Sequence, residues 1–110
     1  MNKTFYKTLL NSVKDPILVA DTYHIVIYMN NAAARHYEEG DRLMGSNLLF
    51  CHNEESQKIM VDILAEMKDG LEEKLITDSE KHRIFMRAMR DENGELIGYF
   101  ERYELPTKND

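Results

Sequence analysis

The most reactive side chains of the sequence belong to Cys51 and His52, which are neighbours and stand shortly before Glu54 and Glu55. A thiol nucleophile needs a base within hydrogen-bond reach and a third group that orients the base, whereas adjacent side chains point in different directions. Glu54 and Glu55 are explained more simply as first-turn residues of a helix, where the helix dipole favours carboxylates. We therefore predict that the protein is not an enzyme.

The sequence around Cys51 and His52 also lacks the pattern of a phosphate or zinc site. It has no glycine-rich phosphate loop, and it supplies too few further ligands for tetrahedral zinc. The remaining histidines are His24, His36 and His82. His24 and His82 each begin a predicted strand, where they either face an interior or lie exposed in a turn; the exposed position is favoured. His36 is predicted to be solvated.

Length and charge set outer bounds on the function. The chain has 110 residues, enough for one domain with a single core. Its net charge of −6 argues against nucleic-acid binding. No apolar run approaches the roughly 20 residues of a spanning helix, and the N-terminus lacks the apolar segment of a signal peptide. A single cysteine excludes an internal disulfide framework, so we expect a cytoplasmic protein without a membrane partner.

Residues 15–31 are the centre of the predicted fold. Two short apolar runs, 17–20 and 25–28, flank a polar turn and predict a β-hairpin. Because both runs are continuously apolar, each strand is expected to be covered on both faces or to line an interior, rather than to have one face in water. Asn30 is then a favourable N-cap for a short helix that ends near Gly40.

The second half of the chain predicts one long helix and three strands. Asn53 is the expected N-cap of the long helix, and Gly70 marks the end of that helix. Its apolar face, which we expect over the sheet, comprises Ile59, Met60, Ile63, Leu64 and Met67. The predicted strands are 74–78, 82–90 and 96–104, with an Asn-Gly hairpin turn between the last two.

The order and spacing of these segments resemble a PAS domain, the small sensor fold of bacterial signalling proteins. The resemblance covers about residues 5–105 and rests on segments 15–21, 25–33, 43–45 and 90–98. It implies an α+β fold, with a five-stranded antiparallel sheet covered on one face by short helices and one longer helix. The expected division is an N-terminal amphipathic helix (1–14), the PAS domain (15–105) and a polar tail (106–110), either free-standing or part of a longer chain.

The resemblance also implies a sensory function, in which a small ligand or cofactor binds between the sheet and the helices. The residues expected to line that cavity are His52, Leu18, Ala20, Val26, Tyr28, Ile59, Met60, Ile63, Leu64, Ile84 and Met86. The alternative is a filled core, in which case the domain is a cofactor-free module for dimerisation or protein interaction.

Residues 50–53 bear on which cofactor such a domain could hold. Residues 50–53 lack the cysteine pattern of the flavin-binding branch, so flavin is disfavoured, as is a coumaric acid chromophore. Haem-binding members use a neutral histidine on or near the long helix as the axial iron ligand, and His52 stands immediately before that helix. The helix itself contains no histidine, which departs from the best-known haem pattern. Without iron, His52 is expected to hydrogen-bond to the loop backbone.

The N-terminal helix carries an apolar stripe that has no evident groove within a small domain. The stripe consists of Phe5, Tyr6, Leu9, Leu10 and Val13. It either folds back onto the domain or meets another chain, because two aromatic residues are costly to leave in water. We predict a homodimer through this stripe and a signalling protein as the downstream partner.

Overall fold

The computed structural model describes residues 2–106. Within them the helices are α1 (Lys3–Asn11), α2 (Asn31–His36) and α3 (Glu54–Lys68), with 3₁₀ turns at Gly40–Leu43 and Leu48–Cys51. The strands are β1 (Leu18–Asp21), β2 (Val26–Met29), β3 (Glu73–Asp78), β4 (Arg83–Arg90) and β5 (Leu96–Glu104). The predicted polar tail falls almost entirely outside the described residues.

The five strands form one antiparallel sheet in the order β2-β1-β5-β4-β3. The β1–β2 hairpin leads through α2, the two 3₁₀ turns and α3 to β3, at the opposite edge. The helical segment packs on one face of the sheet, where Leu18, Met86 and Tyr99 meet the side chains of α3 in a single core. This confirms the predicted α+β fold.

The two strands of the first hairpin differ in burial. In β1, Leu18 and Ala20 on one face and Val19 on the other are all buried, as predicted. In β2, however, Val26 is buried whereas Ile27 is 49% exposed. The prediction that both strands are covered on both faces is therefore wrong for β2, because β2 is an edge strand with one face toward solvent.

The turn between β1 and β2 is held by Asp21 and His24. One carboxylate oxygen of Asp21 accepts hydrogen bonds from the backbone N–H groups of Tyr23 and Ile25, at 2.8 and 3.0 Å. His24 adopts a positive φ of 65°, a conformation that few residues other than glycine adopt. The turn thereby directs the His24 ring inward, where it is 6% exposed.

Helix α3 covers the sheet with a narrower apolar face than its sequence predicts. Asn53 is its N-cap, as predicted, and the Asn53 side chain accepts a hydrogen bond from Ser56 N–H at 2.8 Å. The fully covered face consists of Met60, Ile63, Leu64 and Met67. Ile59 was expected in the same face but is 48% exposed at its margin.

A single buried side chain, that of Asn30, joins α1 to the sheet and to α2. Its oxygen accepts from Ile17 N–H at 2.9 Å and from Ala33 N–H at 2.8 Å, which caps α2 as predicted. Its NH₂ group donates to the carbonyls of Leu10 and Asp15, both at 3.1 Å. Helix α1 buries no residue. At its C-terminal end it is held by the Asn30 bond to Leu10 and by Asn11, whose side-chain oxygen accepts from Asn31 N–H at 2.9 Å.

Candidate functional site

Two cavities lie between the sheet and the helical segment, and two side chains line both of them. Cavity A has a volume of about 190 Å³ and is lined by Tyr37, Glu39, Leu43, Leu48, Cys51, His52 and Glu101. Cavity B has a volume of about 110 Å³ and is lined by His52, Ser56, Ile59, Met60, Ile76, Thr77 and Glu101. Glu101 and His52 therefore line both cavities.

Glu101 is a buried carboxyl group on the inner face of the sheet. In β5 it pairs with Leu18 of β1 on one side and Met86 of β4 on the other, and both neighbours are fully buried. Glu101 itself is 7% exposed. Burial raises the pKa of its carboxyl group, while the Tyr37 hydroxyl and the nearby His52 act in the opposite direction.

Two tyrosine hydroxyls extend this polar site. Tyr37 donates to Glu101 Oε1 at 3.1 Å, and its hydroxyl lies 2.7 Å from that of Tyr103. Burial, reinforced by the charge of Glu101, raises the pKa of Tyr37, and burial also raises the pKa of Tyr103 to about 12. Both phenols thus remain protonated at neutral pH, so they can donate hydrogen bonds within the core.

His52 is held by the loop that precedes α3. Its Nδ1 lies 2.9 Å from the carbonyl oxygen of Leu48, and its own carbonyl accepts from the Gln57 side chain at 2.8 Å. The backbone contact is the one expected for this residue without iron. A ring that donates from Nδ1 to a carbonyl has Nε2 left as a free lone pair. His52 can therefore accept a hydrogen bond, or bind a metal, through Nε2.

The residues expected to line the cavity separate into three groups. His52 lines both cavities, and Ile59 and Met60 line cavity B. The closed core contains Leu18, Ala20, Val26, Ile63, Leu64 and Met86. Ile84 is half-buried opposite Tyr103, and Tyr28 lies on the edge strand with its hydroxyl 3.4 Å from Asn11 Oδ1. Most of the expected lining residues thus belong to the packed core and not to the cavities.

The other histidines differ from their predicted positions in one case. The favoured exposed position is wrong for His24, which is buried with Nδ1 2.8 Å from the Tyr99 hydroxyl. His82 is half-buried against the rings of His36 and Tyr103, with ring centroids 6.0 and 5.0 Å away. His36 is exposed, as predicted.

Sequence reasoning missed Glu101 and Tyr37, although a signal for Glu101 existed. In β5 the alternation places Tyr99, Glu101 and Tyr103 on one face and Phe100, Arg102 and Glu104 on the other. A glutamate between two aromatic residues at strand spacing, without a basic partner on its face, indicates an inward carboxyl group. No comparable signal marks Tyr37, because it follows α2 in irregular backbone.

Within residues 2–106, no group of three or more histidine, cysteine, aspartate or glutamate side chains is arranged to hold a metal ion. The same residues contain no helix with the length and apolar character needed to cross a bilayer.

The sequence profile described as "PAS domain" matches residues 4–68. The chain therefore belongs to the PAS domain family, whose members are sensory and signalling modules and are generally not catalytic. A comparison with curated proteins finds no match.

Solved structures with similar folds support this membership. A C-terminal domain from Streptococcus mutans aligns with a TM-score of 0.79 at 16% identity, covering 94% of this chain and 84% of that one. The PAS domain of BvgS from Bordetella pertussis aligns with a TM-score of 0.66 at 17% identity, covering 96% and 86%. A receptor from Vibrio cholerae described as a dual PAS-heme oxygen sensor aligns with a TM-score of 0.62 at 22% identity, covering 80% and 90%. At these identities the likeness concerns the fold.

Proposed function

We propose that this domain senses a small molecule that binds in cavities A and B, and that it relays binding through α1 to a dimer partner and a signalling protein. The observation that carries this proposal is the shared wall formed by Glu101 and His52. Polar groups that converge on a partly apolar cavity are characteristic of ligand sites. The proposed site residues are His52, Glu101, Tyr37, Ile59 and Met60.

A continuous set of contacts supports a relay from the cavities to α1. Glu101 pairs in the sheet with Leu18, and the preceding residue, Ile17, donates to the side chain of Asn30. Asn30 in turn donates to the carbonyl of Leu10 in α1. A ligand that displaces β5 would act on α1 through these residues, which is a physical path for coupling.

Native mass spectrometry of the purified protein tests whether the cavities hold a ligand. We expect one discrete non-covalent added mass on the wild type. Ser56→Leu should remove it by filling cavity B, whereas Lys58→Leu should retain it, because Lys58 lies exposed on the same helix and lines neither cavity. A wild-type protein with no added mass would favour the cofactor-free interaction module.

Haem is the alternative occupant, and His52 is the residue that supports it. Its Nδ1 contact with a carbonyl is the second interaction typical of a metal-bound imidazole, and Nε2 would be the axial ligand. The cavity volumes of about 190 and 110 Å³ argue against haem, because both lie below the roughly 300 Å³ at which pockets for larger ligands begin. We therefore place haem second; flavin is not part of the proposal.

An absorption spectrum distinguishes haem from a smaller ligand. A Soret band that disappears in His52→Ala but persists in His36→Ala, an exposed histidine, would support iron ligation by His52. We expect a colourless protein that gains no such band when haem is added.

The exposed stripe of α1 supports dimerisation. Phe5, Tyr6 and Leu9 are each about half exposed, and no residue of α1 is buried. We propose that a second copy of the chain covers them. Size measurement of residues 1–110 and 14–110 should give a dimer and a monomer, respectively; two monomers would contradict this.

We propose no catalytic step for this domain. Cys51 is exposed, and the imidazole beside it contacts the Leu48 carbonyl rather than the thiol. A free, exposed thiol is also consistent with a reducing compartment, which supports the proposed cytoplasmic location.

A further inference from the structure

The carboxyl groups of Glu39 and Glu101 carry the negative charge at cavities A and B, and His52 is the basic side chain that lines both. Cavity A is lined by the carboxyl groups of Glu39 and Glu101 together with neutral or weakly basic groups, and neither lysine nor arginine lines it. Cavity B adds the hydroxyls of Ser56 and Thr77 to an otherwise apolar wall. A cationic ligand is favoured in such a site, and an anion is disfavoured.

Glu101 has one carboxylate oxygen without a protein donor. Oε1 accepts from Tyr37 at 3.1 Å, but among residues 2–106 no hydrogen bond reaches Oε2. Other glutamates of the sheet, such as Glu73 and Glu104, are paired with Arg102 on the outer face. Oε2 is not fully buried, so a ligand in the cavity can reach it and supply the missing donor.

We infer that the cavities bind a small organic cation, a primary amine with a short apolar tail. Its ammonium group donates to Glu101, and Ile59, Met60 and Ile76 of cavity B contact its tail. The inference rests on the proposed function and narrows it to one class of ligand. A metal ion is a poorer occupant, because the described residues offer no cluster of three ligands.

The size of the site limits the ligand. Cavity A holds the volume of roughly six water molecules at about 30 Å³ each. An ammonium group with a tail of a few carbon atoms fits this space, whereas a bulky polyamine exceeds it.

The test compares three probes with the same tail and different charges: butylammonium, butanol and butyrate. Saturation-transfer difference NMR and isothermal titration calorimetry on the full chain should show that butylammonium binds most tightly and butyrate least. Glu101→Gln preserves the shape and an acceptor for Tyr37, and it should weaken butylammonium binding roughly tenfold or more, with little change for butanol. Thermal unfolding verifies that the variant is folded.

A matched pair of surface variants separates the local site from net charge. Glu38→Gln and Glu39→Gln change the net charge equally, but only Glu39 lines cavity A. Glu39→Gln should weaken butylammonium binding more than Glu38→Gln does. Equal effects of the two variants would contradict a local cation site.

The outcomes distinguish failure of this inference from failure of the proposed function. If butanol or butyrate binds as well as butylammonium, or if Glu101→Gln leaves the preference unchanged, the cavity is a ligand site but not one for cations. If none of the three probes binds but native mass spectrometry shows an added mass, the inference fails and the proposed function stands; if no probe binds and no added mass is found, both fail.

Discussion

Glu101 illustrates how a single residue departs from the pattern around it. Its flanking residues on the inner face, Tyr99 and Tyr103, and its cross-strand neighbours, Leu18 and Met86, carry no charge, and the basic group that acts on its pKa is His52. A buried carboxyl group without a strong ion pair costs free energy of folding. This cost supports the proposed binding role of Glu101 over a contribution to stability.

At the same scale, His24 predicts a pH dependence of stability. Burial lowers its pKa from the usual 6.5, so below that value the unfolded chain takes up a proton that the folded protein resists. The contribution is fully present above pH 6.5 and is lost as the pH falls toward the lowered pKa, by at most about 1.4 kcal/mol per pH unit. Urea unfolding of the wild type and of His24→Asn measures this contribution. Asparagine is chosen because it tolerates the positive φ of this position.

We expect the wild type to lose more unfolding free energy than His24→Asn when the pH falls from 7.5 to 5.5. A difference that stays constant across this range would show that His24 titrates normally. The other three histidines are common to both proteins and cancel in the comparison.

Asn30 predicts a second residue-scale effect. Asn30→Asp keeps the oxygen that accepts from Ile17 and Ala33 but replaces the NH₂ donor with a second acceptor facing the carbonyls of Leu10 and Asp15. We expect a loss of about 2 to 4 kcal/mol of unfolding free energy, because a charge is buried opposite acceptors. Chemical denaturation measures it, with Asn31→Asp as the exposed control. Equal stability of the two variants would contradict this.

At the scale of elements, the features that depend on neighbouring residues are the ones that the sequence predicts correctly. The caps Asn30 and Asn53 and the strand 96–104 agree with the structure because capping, turn formation and strand alternation depend on neighbouring residues. The exposure of Ile27 and the burial of His24 depend on which strand lies at the sheet edge and on how β5 pairs with β1. These are contacts between distant segments, which local patterns leave open.

The limited width of the α3 face gives an element-scale prediction. Met67 is fully buried, whereas Ile59, two turns earlier on the same helix, is half exposed. Met67→Ala should lower the unfolding free energy by about 2 to 5 kcal/mol through the cavity it leaves, and Ile59→Ala by about 1 kcal/mol or less. Chemical denaturation of both variants measures this; similar losses would mean that the whole predicted face is covered.

At the scale of the whole molecule, α1 lies almost entirely within the stretch that matches the PAS family, yet none of its residues is buried. It has nine residues, and a helix of this length is marginal in water by itself. In a monomer, its amide protons should exchange by local opening much faster than those of β5. Hydrogen exchange followed by NMR at increasing protein concentration should show protection that rises for α1 and stays constant for β5. Protection of α1 that is independent of concentration would contradict dimerisation.

The hydrogen bonds of Asn30 have a consequence for the ageing of the protein. Asparagine side chains hydrolyse spontaneously to aspartate, and at this position the exchange of the NH₂ group for an oxygen would remove the donor to the Leu10 carbonyl of α1 and to the Asp15 carbonyl after it. The cavities would remain intact while the proposed relay through Asn30 was interrupted, and Asn11 of α1 would still accept from Asn31 N–H. Under the proposed function, an old or heat-stressed sample would then still bind its ligand yet transmit the event less well, and its mass would differ from that of fresh protein by a single dalton or so.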